Sequence, residues 1–273
     1  MHKTVLSELI NGVRTITLNR PNRLNAINAS LIRDLHDTLA DAQADLQTDV
    51  IVLRGAGRAF CSGDDLIEFS ETATSEKVAR KYIEDIQDIT RLISLKEKVV
   101  IAAVHGWAVG GGFEWLINCD LVLMAEKTKC FFPETSLGMV VTGAATTLLP
   151  RIVGLHRARA MILLGEKINA SDALKMGLAW RVCEEASLFD EAQALGEKIA
   201  KLPERGVRDS KRLLNNSDSV GIEEALCLEV DAVVPAFVDP ATAKRVASFK
   251  AVSYTHLRAH ETRHDLVCRL LLE

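Results

Sequence analysis

The chain has 273 residues, of which 48% are hydrophobic and 26% are charged, and its formal net charge is −4. This composition is typical of a globular protein with a sizeable buried core and excludes a disordered chain. The charge balance lacks the strong basic excess of a nucleic-acid-binding protein, so we expect no nucleic-acid partner. No stretch reaches the roughly 20 apolar residues of a membrane-spanning helix, so we expect no membrane partner either.

Six cysteines are scattered along the chain, without a Cys-x-x-Cys pair or a histidine at zinc spacing. This pattern predicts reduced thiols and no metal site. The first residues lack the apolar core of a secretory signal. Together these features predict a cytoplasmic protein.

Hydrophobic periodicity predicts strands that alternate with helices over the first half of the chain. The predicted elements are a hairpin of Val5–Leu9 and Val13–Leu18, a helix at Ala29–Asp45, a strand at Val50–Leu53, a helix start at Asp65–Glu68, a helix at Glu76–Leu95, a strand at Val99–Val104, a helix that follows Gly110–Gly112 and runs to about Cys119, and strands at Leu121–Ala125 and Phe131–Phe132. In the first helix Leu31, Ile32, Leu35, Leu39 and Ala42 share one apolar face, and in the helix at Glu76–Leu95 Tyr82 is among the periodic core residues. This order predicts a layered α/β core.

After about Thr142 the predicted elements are mostly helical. They are Ala158–Leu164, Ser171–Met176, Leu188–Leu202, Arg208–Asn215, Ile222–Phe237 and Ala241–Phe249. We therefore divide the chain into an α/β core at 1–195, a helical C-terminal region at 196–250 and a tail at 251–273. The tail carries His256, His260 and His264, but their spacing fits no standard metal-ligand set. We interpret it as disordered or non-native, with a metal-binding tract as the alternative.

The turn after the strand Val99–Val104 is the first candidate site. Three glycines, Gly110–Gly112, open the next helix, so a ligand can approach the backbone closely and meet free N–H groups. The helix dipole adds partial positive charge at that point. The pattern predicts an anion or oxyanion site. The Gly-x-Gly-x-x-Gly motif and the P-loop lysine that are typical of phosphate sites are absent here. The remaining alternative is a glycine-rich turn that serves packing alone.

Two glutamates extend this candidate site. Glu114 lies in the first turn of the same helix among apolar neighbours, where a buried carboxylate needs a partner or a function. Glu134 follows another apolar segment, Phe131–Pro133. Two carboxylates in one apolar pocket raise one pKa and leave the other ionised, which gives an acid and a base. Their spacing of 20 residues does not by itself show that they converge.

The loop at Phe60–Leu66 offers further candidates. Gly63 permits an unusual backbone angle that would point the Asp64 N–H into the site. Cys61 and Ser62 suggest a nucleophile, but neither has a visible His–Asp support or a Gly-x-Ser-x-Gly elbow. Asp65 is better placed as a helix N-cap than as an acid. His105, at the end of an apolar strand, is either a general base or a structural histidine.

These residues together resemble the signatures of the crotonase (enoyl-CoA hydratase/isomerase) superfamily over about Val5 to Phe249. The matching motifs are Arg20-Pro21 with Asn25-Ala26, Phe60–Leu66, Ala103–Gly106 with Gly110–Glu114, Phe132–Glu134 with Leu137-Gly138, Leu149–Arg151 with Gly154, and Asn169–Leu174 with Gly177–Ala179. The resemblance implies a spiral of ββα repeats with a helical C-terminal trimerisation region. It also implies a homotrimer or a dimer of trimers.

The resemblance assigns roles to the candidate residues. It implies that the backbone N–H groups of Asp64 and Gly111 form an oxyanion hole for the thioester carbonyl of an acyl-CoA substrate. Hydratases of the family share both glutamates, with Glu114 activating water and Glu134 exchanging the α-carbon proton. Further substrate and coenzyme A contacts are implied at Arg23, Asn25, Ala26, Ser62, Asp65, Leu66, Ile67 and Gly110. No separate cofactor is implied, since coenzyme A is part of the substrate.

The resemblance predicts an enoyl-CoA hydratase, with an isomerase, hydrolase or decarboxylase of the same superfamily as alternatives and a non-catalytic acyl-CoA-binding member as another. Family hydratases often have a basic residue where this chain has Ile67, so Arg23 or Arg58 is expected to bind coenzyme A instead. The segment Met139–Ala144 replaces a Pro-Gly-rich turn and is expected to line the acyl pocket. After Phe249-Lys250 the chain departs from the family pattern.

Overall fold

The computed structural model describes residues 3–69 and 74–249. The chain consists of two compact units that divide between Asn215 and Asn216. The first unit extends past residue 195, where we predicted the core to end. The tail at 251–273, with its three histidines, lies outside the described residues.

The strands all belong to the first unit. They are β1 (Val5–Ile10), β2 (Val13–Leu18), β3 (Val50–Gly55), β4 (Val99–Val104), β5 (Trp107–Val109), β6 (Leu121–Ala125), β7 (Lys129–Phe131), β8 (Ile168–Asn169) and β9 (Arg181–Cys183). In the described residues they form one six-stranded sheet, in the order β1-β2-β3-β4-β6-β9, and a three-stranded sheet, in the order β5-β7-β8. The large sheet is parallel except for the β1–β2 hairpin.

The helices lie between and after these strands. They are α1 (Ala29–Ala44), α2 (Glu76–Ser94), α3 (Gly111–Asn118), α4 (Ala145–Val153), α5 (Leu155–Leu164), α6 (Ala170–Lys175), α7 (Leu188–Ala200), α8 (Glu204–Asn216) and α9 (Ile222–Phe237), with 3₁₀ helices at Pro21–Arg23 and Glu134–Leu137. The second unit contains α9 and the helical residues 240–249.

Successive strand pairs place one strand in each sheet before the chain enters a helix. The run β4, β5, α3 is one such repeat, and β6 and β7 begin the next. The arrangement confirms the predicted spiral of ββα repeats. It brings β5 against the segment after β3, through the bridge between Cys61 and Ala108.

The large sheet is buried on both faces, which explains its continuous apolar strands. In β3, Ile51 and Leu53 join the main core beside α1, α2 and α3. The alternate residues Val50 and Val52 face a second core with α7. Since successive side chains of a strand point to opposite faces, each strand serves both cores.

Most predicted elements are confirmed. In α1 the buried residues are Leu31, Ile32, Leu35, Leu39 and Ala42, the face that periodicity predicted. The predicted helix start at Asp65–Glu68 is a turn at residues 66–68. The short strands β5, β8 and β9 and the helix α4 were not predicted.

Candidate active site

Gly110 is the residue at which β5 passes into α3. Its backbone angles, φ 51° and ψ −124°, are open only to glycine. Its N–H donates to Phe131 O at 3.1 Å. The next residue, Gly111, begins α3, so its N–H lies among the helix donors that have no partner inside the helix.

The loop that follows β3 supplies a second free donor. Ile27 N donates to Gly63 O and Asp65 N donates to Ile27 O, both at 2.8 Å. This pairing skips the Asp64 N–H, which has no acceptor among the described residues. A Cβ on Gly63 would lie 2.9 Å from Val109 O and 3.7 Å from Gly110 Cα. The two predicted oxyanion donors, Asp64 and Gly111, directly follow Gly63 and Gly110 in the chain. Because Gly63 and Gly110 are in close backbone contact, the two donors lie near each other.

Glu114 lies one turn into α3 and is 2% exposed. Its Oε1 accepts the N–H of Thr142 at 2.6 Å, and its Oε2 accepts the N–H of Gly143 at 2.8 Å. The Thr142 hydroxyl is also within reach of Oε2, at 3.3 Å. Burial raises the pKa of Glu114, whereas these donors lower it. The donors favour the ionised carboxylate, which can act as a base.

Glu134 begins the 3₁₀ helix Glu134–Leu137 and is 8% exposed. Its Oε1 lies 2.5 Å from the position that a Cβ on Gly110 would take. Its Oε2 is buried and has no hydrogen-bond partner within the described ranges. Burial, together with the charges of Glu114 and Asp64, raises the pKa of Glu134 to about 7.

The Glu134 carboxyl thus contacts Gly110, which lies one turn before Glu114 on α3, and the two carboxylates are close enough for the charge of Glu114 to raise the pKa of Glu134. We predicted that one pKa would rise while the other carboxylate stayed ionised. Both pKa values are raised, mainly by burial, and the difference lies in the bonds that each carboxylate receives. Glu114 is held by N–H donors, whereas Glu134 is poorly solvated and can carry a proton near neutral pH.

The side chain of Asn25, a predicted substrate contact, is used within the protein. It is fully buried, and its Nδ2 donates to the carbonyls of Ala56, Ala59 and Phe60. Its Oδ1 accepts the N–H of Arg20 at 2.8 Å. These bonds hold the loop before Cys61, and a substrate contact from the backbone of Asn25 remains a prediction.

Asp65, Ser62 and Ala26 are also engaged within the protein. Asp65 pairs with Arg20 at 3.0 Å and accepts the Ile67 N–H at 3.3 Å, close to the capping role that we predicted. Ser62 Oγ lies 3.5 Å from Arg23 O. Ala26 O accepts a bond from the Arg20 guanidinium. Direct substrate contacts from these three residues remain predictions.

The other predicted coenzyme A contacts are exposed. They are the side chains of Arg23, Arg58, Leu66 and Ile67. The two arginines flank the loop that carries Asp64, so they are free to meet an anionic ligand.

The nucleophile alternative does not fit the structure. Cys61 is buried, its thiol donates to Asn25 O, and burial raises its pKa to about 12. Such a thiol is inert rather than nucleophilic. His105 Nε2 lies 2.8 Å from Gly57 O, and its ring stands edge-on to Phe189. His105 is therefore a structural histidine.

Sequence reasoning missed the roles of three residues at the site. Thr142 and Gly143 hold Glu114, although they lie 28 and 29 residues further along the chain. Tyr82, which we assigned only to the core face of α2, donates its hydroxyl to Asp64 Oδ1 at 3.1 Å. A polar hydroxyl at a core position was the available signal for Tyr82.

No helix in the described ranges is long and apolar enough to cross a membrane. No group of three or more His, Cys, Asp or Glu side chains among the same residues is placed to hold a metal ion.

Comparison with known proteins places this geometry in a family. The family model for enoyl-CoA hydratase/isomerase matches residues 8–246. A 1,2-epoxyphenylacetyl-CoA isomerase of Escherichia coli is 32% identical over 85% of this chain and 89% of its own length. A short-chain-enoyl-CoA hydratase of Clostridium acetobutylicum is also 32% identical, over 84% of this chain and 87% of its own.

Solved structures agree with the sequence relatives. The crystal structure of an enoyl-CoA hydratase from Bacillus anthracis superposes with a TM-score of 0.86 at 29% identity, covering 91% of this chain and 96% of the other. The superposition therefore includes nearly the whole length of both chains. The chain belongs to the enoyl-CoA hydratase/isomerase family, within the crotonase superfamily.

Proposed function

We propose that the protein is an enoyl-CoA hydratase. The observation that carries this proposal is that two buried glutamates lie beside two free backbone donors, with Glu134 in contact with Gly110 and Glu114 one turn further along α3. Glu114 has the environment of a base, since both oxygens of its carboxylate accept backbone N–H groups. Glu134 has the environment of an acid, since its buried Oε2 has no hydrogen-bond partner among the described residues and its pKa is raised to about 7. Addition of water across a double bond needs one group of each kind.

The proposed reaction begins with the thioester oxygen at the N–H groups of Asp64 and Gly111. Glu114 takes a proton from water as the water oxygen bonds to carbon 3. The electron pair of the C2–C3 double bond moves toward carbon 2 and the thioester oxygen, where the two donors stabilise the enolate. Glu134 then delivers its proton to carbon 2, which completes a 3-hydroxyacyl thioester.

Removal of water follows the same path in reverse. Glu134 takes the carbon 2 proton and Glu114 returns a proton to the departing hydroxyl. No separate cofactor enters the proposed reaction, because coenzyme A is part of the substrate. We propose that Arg23 or Arg58 binds its phosphates, since both are exposed beside the Asp64 loop.

We also propose a homotrimer or a dimer of trimers, as the family resemblance implies. Support comes from α9, where Ile222, Leu226, Val230 and Val233 recur at helical spacing and form an apolar stripe. A measurement of mass in solution tests this assembly.

The test of function compares hydration of crotonyl-CoA with isomerisation of a 3-enoyl-CoA. We expect hydration by the natural protein and a large loss in Glu114→Gln and Glu134→Gln. If Glu114→Gln retains full hydration, the water-activating role of Glu114 is wrong. If isomerisation occurs without hydration, the isomerase alternative replaces our proposal, and release of free coenzyme A would indicate a hydrolase.

A further inference from the structure

The side chain of Asp64 is a carboxyl group placed where it has no part in the reaction proposed above. Its backbone N–H is a free donor, and its Oδ1 accepts the Tyr82 hydroxyl at 3.1 Å. The same hydroxyl lies 3.5 Å from Ile27 O, and its one proton serves the closer acceptor. Asp64 is half-buried, and its Oδ2 has no partner among the residues described.

The Asp64 carboxyl belongs to the same electrostatic environment as the two glutamates. Its charge is among the causes that raise the pKa of both Glu114 and Glu134. Burial raises its own pKa, and the Tyr82 hydroxyl lowers it. The Asp64 carboxyl therefore lies close to the two glutamates, and its one hydrogen bond among the described residues comes from Tyr82.

Covalent geometry strengthens this placement. The proposed function seats the thioester oxygen on the Asp64 N–H, and only three bonds separate that nitrogen from Asp64 Cγ. Carbon 3 of the acyl group receives the water that Glu114 activates in the proposed reaction. Carbon 4 is the first acyl carbon that takes no part in the proposed reaction, so a substituent there is free to contact the Asp64 oxygen or the Tyr82 hydroxyl.

We propose that Asp64 and Tyr82 form a polar wall of the acyl site that selects acyl groups with a hydroxyl at carbon 4. A hydroxyl both donates and accepts, so it pairs with the Asp64 carboxyl in either protonation state. A plain alkyl chain would cover the same groups without replacing their hydrogen bonds to water. Sites built around such polar groups discriminate strongly against substrates that leave them unpaired.

This proposal rests on the proposed function, so its test separates the two. The first measurement compares kcat/KM for 4-hydroxycrotonyl-CoA and crotonyl-CoA, which differ by one hydroxyl. The second measures, by calorimetry, the binding of 4-hydroxybutyryl-CoA and butyryl-CoA, which have no double bond to hydrate. We expect the natural protein to prefer the hydroxylated member of each pair by at least tenfold.

Two variants and one control assign the preference to these side chains. Asp64→Ala keeps the backbone N–H, and Tyr82→Phe keeps the ring that packs against the core. Each is expected to bring both ratios to within threefold of one. Asp85→Asn, which removes a carboxylate from α2 that pairs with Lys81, is expected to leave the ratios unchanged.

A preference of one or less in both measurements overturns the proposal, as does an unchanged preference in Asp64→Ala. Hydration of both substrates without preference removes the polar wall but keeps the hydratase. A binding preference without any hydration keeps the polar wall and its substrate class but removes the hydratase.

Discussion

Glu134 occupies the space that a side chain on Gly110 would need, with its Oε1 2.5 Å from the position of that missing Cβ. One glycine therefore shapes both halves of the candidate site. It lets the chain turn into α3, whose first N–H groups are free, and it admits the Glu134 carboxyl to the same point.

We expect Gly110→Ala to abolish activity and to lower stability. Alanine disfavours φ 51° with ψ −124°, at a cost of about 1–3 kcal/mol, and its methyl group would displace the Glu134 carboxyl. A shift of about 1 Å in a reacting group can lower the rate by roughly 100-fold. Hydration kinetics and a thermal melt measure the two effects.

Gly206→Ala is the matched control. Gly206 lies in α8, and a Cβ there would meet nothing within 4 Å. Alanine is the better helix former, so we expect unchanged activity and a gain of up to about 1 kcal/mol. Equal losses in both variants would mean that the space beside Glu134 has no special role.

Glu134→Gln should change how stability depends on pH. The pKa of Glu134 is raised from 4.5 to about 7 in the folded chain. The folded state therefore holds its proton more tightly, and the stability that this confers is complete below pH 4.5 and is lost as pH rises to about 7. A shift of this size corresponds to at most about 3 kcal/mol. Glutamine does not titrate, so the variant should lose less stability than the natural protein between pH 4.5 and 8.

Chemical denaturation at several pH values measures this difference directly. Activity in Glu134→Gln should fall by about 10²- to 10⁴-fold, the usual contribution of a positioned acid or base. Identical pH dependence of stability in both proteins would contradict the raised pKa of Glu134.

Glu114→Gln should lose stability as well as activity. Both Glu114 oxygens accept backbone N–H groups, from Thr142 and Gly143. A glutamine has one oxygen, so its amide nitrogen would face one of these donors and leave it unpaired, at a cost of about 1–3 kcal/mol. At pH 7 the Glu114→Gln variant should therefore melt below Glu134→Gln. The reverse order would show that the backbone donors do not hold Glu114 in solution.

The sequence allowed prediction of the elements and of the residue types at the site, but not of their partners. Periodicity identified the buried face of α1 because that face repeats over 16 residues. Strands of two or three residues, such as β8 and β9, are too short for any period to show. The bonds of Asn25 could not be predicted, because a motif does not show whether an amide faces a ligand or three carbonyls of a loop that is distant in sequence.

The pH profile of turnover tests the acid and base together. The proposed hydration needs one proton on the glutamate pair, on Glu134 at the start and on Glu114 at the end. Above about pH 7 that proton is lost, so kcat/KM should fall there. Because the reaction consumes no net proton, dehydration should show the same alkaline limb. If the alkaline limbs of the pH profiles for hydration and dehydration differ, Glu114 and Glu134 do not share a single proton.

Lys211 illustrates a buried charge that sequence reasoning did not reveal. Its ammonium donates to Asp120 Oδ2 at 2.7 Å and to the carbonyls of Ile93 and Lys98. Burial raises the pKa of Asp120, and Lys211 lowers it. Removing one partner of a fully buried pair typically costs about 3–5 kcal/mol, and the Asp120 side chain is 21% exposed, so the cost here should lie toward the lower end of that range. We expect Lys211→Met to be destabilised by an amount of this order.

The pH dependence of that loss identifies its cause. Without Lys211 the pKa of Asp120 should rise further, so the variant is stabilised by protonation and its deficit should be smaller at pH 5 than at pH 8. Adding Asp120→Asn should restore part of the stability at pH 8, since no buried charge then remains. Lys175→Met is the control, because its pair with Asp172 is solvent-exposed, and we expect a change within about 0.5 kcal/mol. A deficit that is equal at both pH values would mean that Lys211 acts through its packing and its carbonyl bonds rather than through the charge of Asp120.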